Sequence, residues 1–145
     1  MTSFWSYFDT SAYIKLFIKE AGSDKARKKA RECRVLSSAI IAVESYSALA
    51  RRRREGELPE DAFQKALKEI KEGIKSVEII AVTDEVLKRA QDITLRSPAR
   101  TMDALHISSA LLFQESTDIE LTFITSDKKQ GGAAAQAGLR VVFIE

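Results

Sequence analysis

The hydrophobic pattern alternates between short apolar runs and longer stretches with helical spacing. Phe4 to Phe8 is an aromatic run that reads as a strand. A helix follows, carrying Tyr13, Ile14, Leu16, Phe17 and Ile18, with Asp9, Thr10 or Ser11 as its cap, and it fades at Ala21–Gly22. Ser23–Asp24 opens a polar helix to about Glu32, and Val35–Leu36 is a very short strand. Ser37–Ser38 is expected to cap a helix from Ala39 to Arg54 that Gly56 ends. Pro59 suits the first turn of the next helix, which runs to about Lys75. There Phe63, Leu67, Ile70 and Ile74 fall on one face. Val77 to Val82 reads as a strand, and Thr83 caps a helix to Arg96 that Ser97–Pro98 breaks. Thr101 is expected to cap a helix from Met102 to Glu115 that is apolar on most sides and therefore buried. Leu121 to Thr125 is a strand, a short helix runs to Gln136 and stops at Gly138, and Val141 to Ile144 is the last strand.

Strands separated by helices favour a parallel sheet covered on both faces. The expected fold class is α/β with about five strands and right-handed crossovers. With 145 residues and no linker-like stretch, residues 1–145 read as a single domain with one core. In such sheets the working site lies beyond the carboxyl ends of the strands, and this rule picks out residues.

Asp9 directly follows the first strand, and Asp127 lies two residues after Thr125 at the end of the fourth. If these strands are neighbours, both carboxylates face one crevice. Glu44 sits mid-helix, with Ile40 and Ile41 one turn before it and Ala48 one turn after. Asp103 has Ile107 one turn on, then Ala110 and Leu111. An acid on a buried helix face is costly unless it is paired or bound to metal. Taken singly, Asp9 and Asp127 read as helix caps, and Asp103 as an acid favoured by a helix N-terminus. Glu44 has the weakest such explanation. Taken together, four converging carboxylates repel one another, and a hard divalent cation such as Mg²⁺ or Mn²⁺ relieves that repulsion. Such an ion assists phosphodiester hydrolysis, and it lets an acidic pocket accept a polyanion.

The formal charge of +2 is too small for a broadly cationic surface, so nucleic acid would be held by local clusters. Lys128, Lys129 and Arg100 flank the acids and are candidate phosphate contacts. The Arg51–Arg54 run reads mainly as basic charge at a helix C-terminus. Cys33 is the only cysteine, which excludes an intramolecular disulfide or a cysteine-based zinc site and fits a reducing cytoplasm. The apolar start, Met1 to Phe8, is too short to span a bilayer and lacks a basic signal-peptide start, so a cytoplasmic protein without membrane contact is expected.

Four segments, in order, resemble the PIN-domain family and its VapC-type toxins. They are Phe8-Asp9-Thr10-Ser11-Ala12; Ser37-Ser38 through Glu44 to Ala48-Leu49-Ala50-Arg51-Arg52; Arg100-Thr101-Met102-Asp103-Ala104-Leu105-His106; and Thr125-Ser126-Asp127-Lys128-Lys129 with Ala137-Gly138-Leu139. No single piece is specific, but the series spans the chain. The resemblance implies a three-layer α/β/α sandwich with strand order 3-2-1-4-5, which sets the first and fourth strands side by side. It implies a Mg²⁺- or Mn²⁺-dependent endoribonuclease, the toxin of a type II toxin–antitoxin system, that acts on RNA, binds a cognate antitoxin and forms a homodimer. Asp9, Glu44, Asp103 and Asp127 match the family's acidic quartet. Asp9 and Asp103 would ligate the metal directly, and Glu44 and Asp127 directly or through waters. Ser11 and Thr125 match the hydroxyl positions that hold those carboxylates in place. Gly131–Gly132 departs from the pattern where an apolar residue is expected, which should loosen the last helix and leaves the seat of Asp127 open.

His106, the sole histidine, lies one turn from Asp103; a packed helix residue is the favoured reading over a general base. The Phe63–Ile74 stripe reads as core, or as a surface for a second copy or an antitoxin, and Trp5 should pack beside the first strand. Two other functions stay open: a structure-specific DNA nuclease, and a non-catalytic PIN-like RNA-binding module. A receiver domain wants paired acids after its first strand and a lysine after its last, a haloacid-dehalogenase-type phosphatase wants an acid where Ser11 stands, and no phosphate-binding glycine-rich loop occurs.

Overall fold

The structure is a computed structural model and describes residues 5–145. The expected strand start at Phe4 lies outside them. Five strands form one parallel sheet: β1 (Trp5–Phe8), β2 (Arg34–Ser38), β3 (Glu78–Ile80), β4 (Thr122–Thr125) and β5 (Arg140–Phe143), in the order β3-β2-β1-β4-β5. The sheet is therefore parallel and ordered as expected. The central pair is β1 and β4, with Phe8 opposite Ile124. Side chains alternate along these strands. Phe8 and Ile124 enter one core, and Tyr7 and Phe123 enter the other.

On the first face lie α1 (Thr10–Tyr13), α2 (Ser23–Glu32), α3 (Ile41–Arg54) and α4 (Glu60–Gly73), which bury Tyr13, Ala26, Ile41, Leu49, Phe63 and Ile70 around Phe8. The Phe63–Ile74 stripe is core: Phe63 and Ile70 are buried, and Leu67 and Ile74 pack against them. On the second face lie α6 (Thr101–Thr117) and α7 (Lys128–Gln136), with Ile107, Ala110, Ala133 and Ala134 packed on Tyr7, Leu36 and Phe123. α5 (Asp84–Arg96) packs outside α6 through Val86 and Ala90. Trp5 packs against Phe113, and Arg34 lies over its ring. Among the described residues, no helix is long and apolar enough to cross a membrane.

Several element ends differ from expectation. The first helix is shorter than its apolar spacing suggests. It tightens into a 3₁₀ turn at Ile14–Leu16, where the amides of Phe17 and Ile18 share the Ile14 carbonyl. Ser37 and Ser38 do not cap α3; they end β2, fully buried. The Ser37 hydroxyl donates to the Phe8 carbonyl, and Ser38 Oγ accepts the Ile40 amide, so neither is free to cap. Thr101 is likewise inside α6, whose cap position is Arg100. Thr83 does cap α5, accepting the Val86 amide.

The glycine pair leaves α7 intact. A Cβ at Gly131 would stand 3.3 Å from the Thr125 methyl and 3.5 Å from Val141, so glycine here lets the helix sit close to the end of β4. Gly132 has nothing within 4 Å and no positive φ. Gly132→Ala should therefore raise stability by about 0.5–1 kcal/mol, measured as a higher urea midpoint at unchanged m-value. Gly131→Val should lower it, because branched methyls meet Thr125.

Candidate active site

β1 hands the chain to α1 through Asp9, which is 3% exposed. The residue is an N-cap: Oδ1 accepts the Ala12 amide at 3.0 Å. It is also held by hydroxyls from α1 and from the end of β4. Ser11 Oγ donates to Oδ1 at 2.7 Å, and Thr125 Oγ1, from the end of β4, donates to Oδ2 at 2.5 Å. The capping and site readings thus describe one geometry. Burial pushes the Asp9 carboxyl above its ordinary range, against the opposing pull of His106 and of the hydrogen bonds from Thr125 and Ser11.

Asp127 follows β4 and caps α7, with Oδ1 accepting the amides of Lys129 and Gln130. Thr125 Oγ1 also accepts the Asp127 amide at 3.0 Å, so one hydroxyl ties both strand-end aspartates together. Glu44 stands in the first turn of α3. Thr10 Oγ1 donates to its Oε1 at 2.6 Å, and His106 Nε2 lies 2.5 Å from the same oxygen. Burial raises the Glu44 pKa, but His106 and Thr10 outweigh it and hold the carboxyl below its ordinary value. Asp103, in the first turn of α6, is pushed up by burial and then by the like charges of Asp127 and Glu44, against His106 and Arg100.

All four acids line one open cleft of about 880 Å³. Its other walls include Lys15, Arg51, Arg52, Arg100 and His106. Of the expected basic contacts, Arg100 lines the cleft; Lys128 and Lys129 are exposed at the start of α7 and do not. Glu20 ties two of the cleft's cations together, bonding Lys15 at 2.9 Å and Arg52 at 2.5 Å. Arg53 points to Glu60 and covers the Phe63 ring.

Among the described residues, no three His, Cys, Asp or Glu side chains are gathered into a ready-made cage for a metal ion. That still fits Mg²⁺, which keeps several waters and takes one or two carboxylates rather than a full set of protein ligands. The donor set consists of hard carboxylate oxygens, and the raised Asp9 and Asp103 carry charge that a cation would relieve.

The family model described as PIN domain matches residues 6–135. The chain belongs to the PIN-domain family. This PIN-domain chain is 30% identical over 136 residues to Ribonuclease VapC45 of Mycobacterium tuberculosis, covering 93% of this chain and 92% of that one. Its fold is shared by a toxin–antitoxin complex from Klebsiella pneumoniae, with TM-score 0.64, 18% identity and coverage of 94% and 95%. It is shared also by VapC20 of Mycobacterium tuberculosis, a sarcin–ricin-loop-cleaving toxin, with TM-score 0.63, 20% identity and coverage of 92% and 95%.

Sequence reasoning underrated three residues of this PIN domain. His106 is buried, as a packed residue should be, yet both ring nitrogens are engaged at the site. The signal was its place three residues after Asp103, which puts both on neighbouring positions of one helix surface. Thr10, by sequence a helix-cap candidate, bonds Glu44 instead. Tyr7 gave no signal beyond its place in an apolar strand.

Proposed function

We propose that this PIN-domain protein is a metal-dependent endoribonuclease, the toxin of a toxin–antitoxin pair. The observation that carries the reading is the convergence of Asp9, Glu44, Asp103 and Asp127 on one cleft at the carboxyl ends of β1 and β4. The relatives' names, a ribonuclease and a toxin, support it. Asp9 and Asp103 would hold a Mg²⁺ or Mn²⁺ ion directly, and Glu44 and Asp127 would do so directly or through waters. When bound, the ion supplies charge stabilisation at the phosphoryl oxygens and a lowered pKa for a nearby water.

The chain's own residues do the rest. Ser11 and Thr125 fix the Asp9 carboxylate in one orientation. Glu44 and Asp127 orient the attacking water, whose oxygen bonds to phosphorus as the ester P–O bond breaks; the water gives up a proton to solvent, and the leaving oxygen takes one from solvent. Arg100 meets a backbone phosphate at the cleft wall, joined by Arg51 and Arg52. Lys128 and Lys129 take phosphates further along the strand. A cognate antitoxin silences the cleft, as befits a chain with the fold of a toxin–antitoxin complex, and the toxin pairs with a second copy of itself.

The test is incubation of the purified protein with a structured RNA and, separately, with flap-bearing DNA, with Mg²⁺ and then with excess EDTA. The expected result is RNA cutting that EDTA abolishes and Mg²⁺ or Mn²⁺ restores. Preferential cutting of the flap would make it a DNA nuclease. RNA binding without cutting under either metal would make it a binding module.

A further inference from the structure

The bonds around Glu44 are lopsided. Among the described residues, both hydrogen-bond partners of its carboxylate meet Oε1: Thr10 Oγ1 at 2.6 Å and His106 Nε2 at 2.5 Å. At that separation Nε2 must carry a hydrogen, because a bare ring nitrogen would set its lone pair against a carboxylate oxygen. Nδ1 is also committed, lying 2.6 Å from the Tyr7 hydroxyl. His106 is 2% exposed and Tyr7 is fully buried in β1, its ring stacked on Phe123 at 5.3 Å. A histidine with both nitrogens engaged is not free to take a proton from water or to ligate an ion. Its place is between the rigid sheet and a flexible carboxylate.

We infer that Tyr7 and His106 form a positioning chain that anchors Glu44 to the sheet, occupying Oε1 and leaving Oε2 as the oxygen offered to the cleft. The inference rests on the reading of Glu44 as part of a metal-binding acid set. A glutamate has three rotatable side-chain bonds, so an unanchored Glu44 in an open cleft would sample several orientations. Thr10 approaches from α1, and His106 approaches from α6. The carboxylate of α3 is thus fixed by elements from both layers of the sandwich. Outer contacts of this kind orient ligands and typically change metal affinity about 10–100-fold when lost.

The experiment titrates Mn²⁺ into the metal-free full chain and reads free Mn²⁺ by electron paramagnetic resonance, with thermal melts of each protein alongside. Four proteins are compared: wild type, His106→Leu, His106→Gln and Tyr7→Phe. His106→Leu keeps the bulk but removes the donor, and should weaken Mn²⁺ binding about 10–100-fold. His106→Gln restores an N–H near the Nε2 position and should recover most of the affinity. Tyr7→Phe removes a single hydroxyl and should weaken binding to an intermediate degree; it carries the test if His106→Leu does not fold. Wild-type affinity in folded His106→Leu or in Tyr7→Phe overturns the inference. So does His106→Gln as weak as His106→Leu when both melt like wild type, since the donor would then be irrelevant. A wild type that binds no Mn²⁺ overturns the metal reading of the cleft itself, a result distinct from the first two.

Discussion

Asp103→Asn should cut RNA about three orders of magnitude more slowly than wild type, equivalent to roughly 4 kcal/mol of lost transition-state stabilisation. The substitution is nearly isosteric. Among the described residues, no hydrogen bond reaches the Asp103 carboxylate; only its main-chain carbonyl is used, by Gln130 at 3.3 Å. The fold therefore loses no partner when the charge goes. What is lost is an anionic oxygen in a cleft where burial and the charges of Asp127 and Glu44 already raise the cost of keeping it ionised. Single-turnover cleavage under saturating Mg²⁺, with circular dichroism to confirm the fold, measures this. A fall of less than about tenfold would remove Asp103 from the reacting set.

The second large effect is on stability, and its sign follows from the same charges. Asp9 and Asp103 have folded-state pKa values above their ordinary ones, burial being the main cause in each. Across the window from the ordinary carboxylate pKa of about 3.9 up to the raised value, the folded state binds more protons than the unfolded state. Stability therefore falls as pH rises through that window, and above it these two groups exert their full destabilising effect. Glu44 and Glu20 are shifted the other way and contribute stability that is lost as pH falls. Asp9→Asn keeps a capping oxygen and sheds the buried charge, so without metal and above that window it should melt above wild type. The gap should close as the solution is acidified to about pH 4. Adding Mg²⁺ or Mn²⁺ at a hundred times its Kd should stabilise wild type by about 2.7 kcal/mol, raising its Tm by roughly 10 °C. Asp9→Asn should miss most of that rise. Scanning calorimetry with and without metal reads both arms, and a variant that melts lower and still gains from metal would refute them.

Much of this was legible in the sequence because the burial pattern and the chemistry disagree at a few positions. Phe8 and Ile124 are plain strand residues, and Asp9 and Asp127 beyond them, each a helix cap when taken singly, fall together at the carboxyl edge of the sheet. Glu44 and Asp103 stand on otherwise apolar helix faces, and the structure brings both to the cleft of Asp9 and Asp127. The strand order came from the family resemblance, since periodicity alone does not say which strands pair. Other features depended on contacts that no local pattern records. Ser37 and Ser38 look like a helix cap, yet Ser37 is claimed by the carbonyl of a strand 29 residues away. Gly131 looks like a helix weakness until the Thr125 methyl is seen against it. His106 satisfies the requirement for a packed residue, and only the placement of Tyr7 and Glu44 on either side of its ring shows its further use. Lys128 and Lys129 follow Asp127 in sequence, but the helix that begins there carries them outside the cleft wall.

On the proposed function, the four carboxylates form one metal-dependent RNA-cleaving site. The most direct measurement is the Mn²⁺-dependent cleavage of an end-labelled pool of structured RNAs by wild type and by the double variant Asp9→Asn/Asp103→Asn. The expected result is discrete cuts by wild type only when metal is present, and none by the double variant even though it stays folded. Cutting by the double variant at the wild-type rate, or a folded wild type that cuts no RNA with either metal, would contradict it.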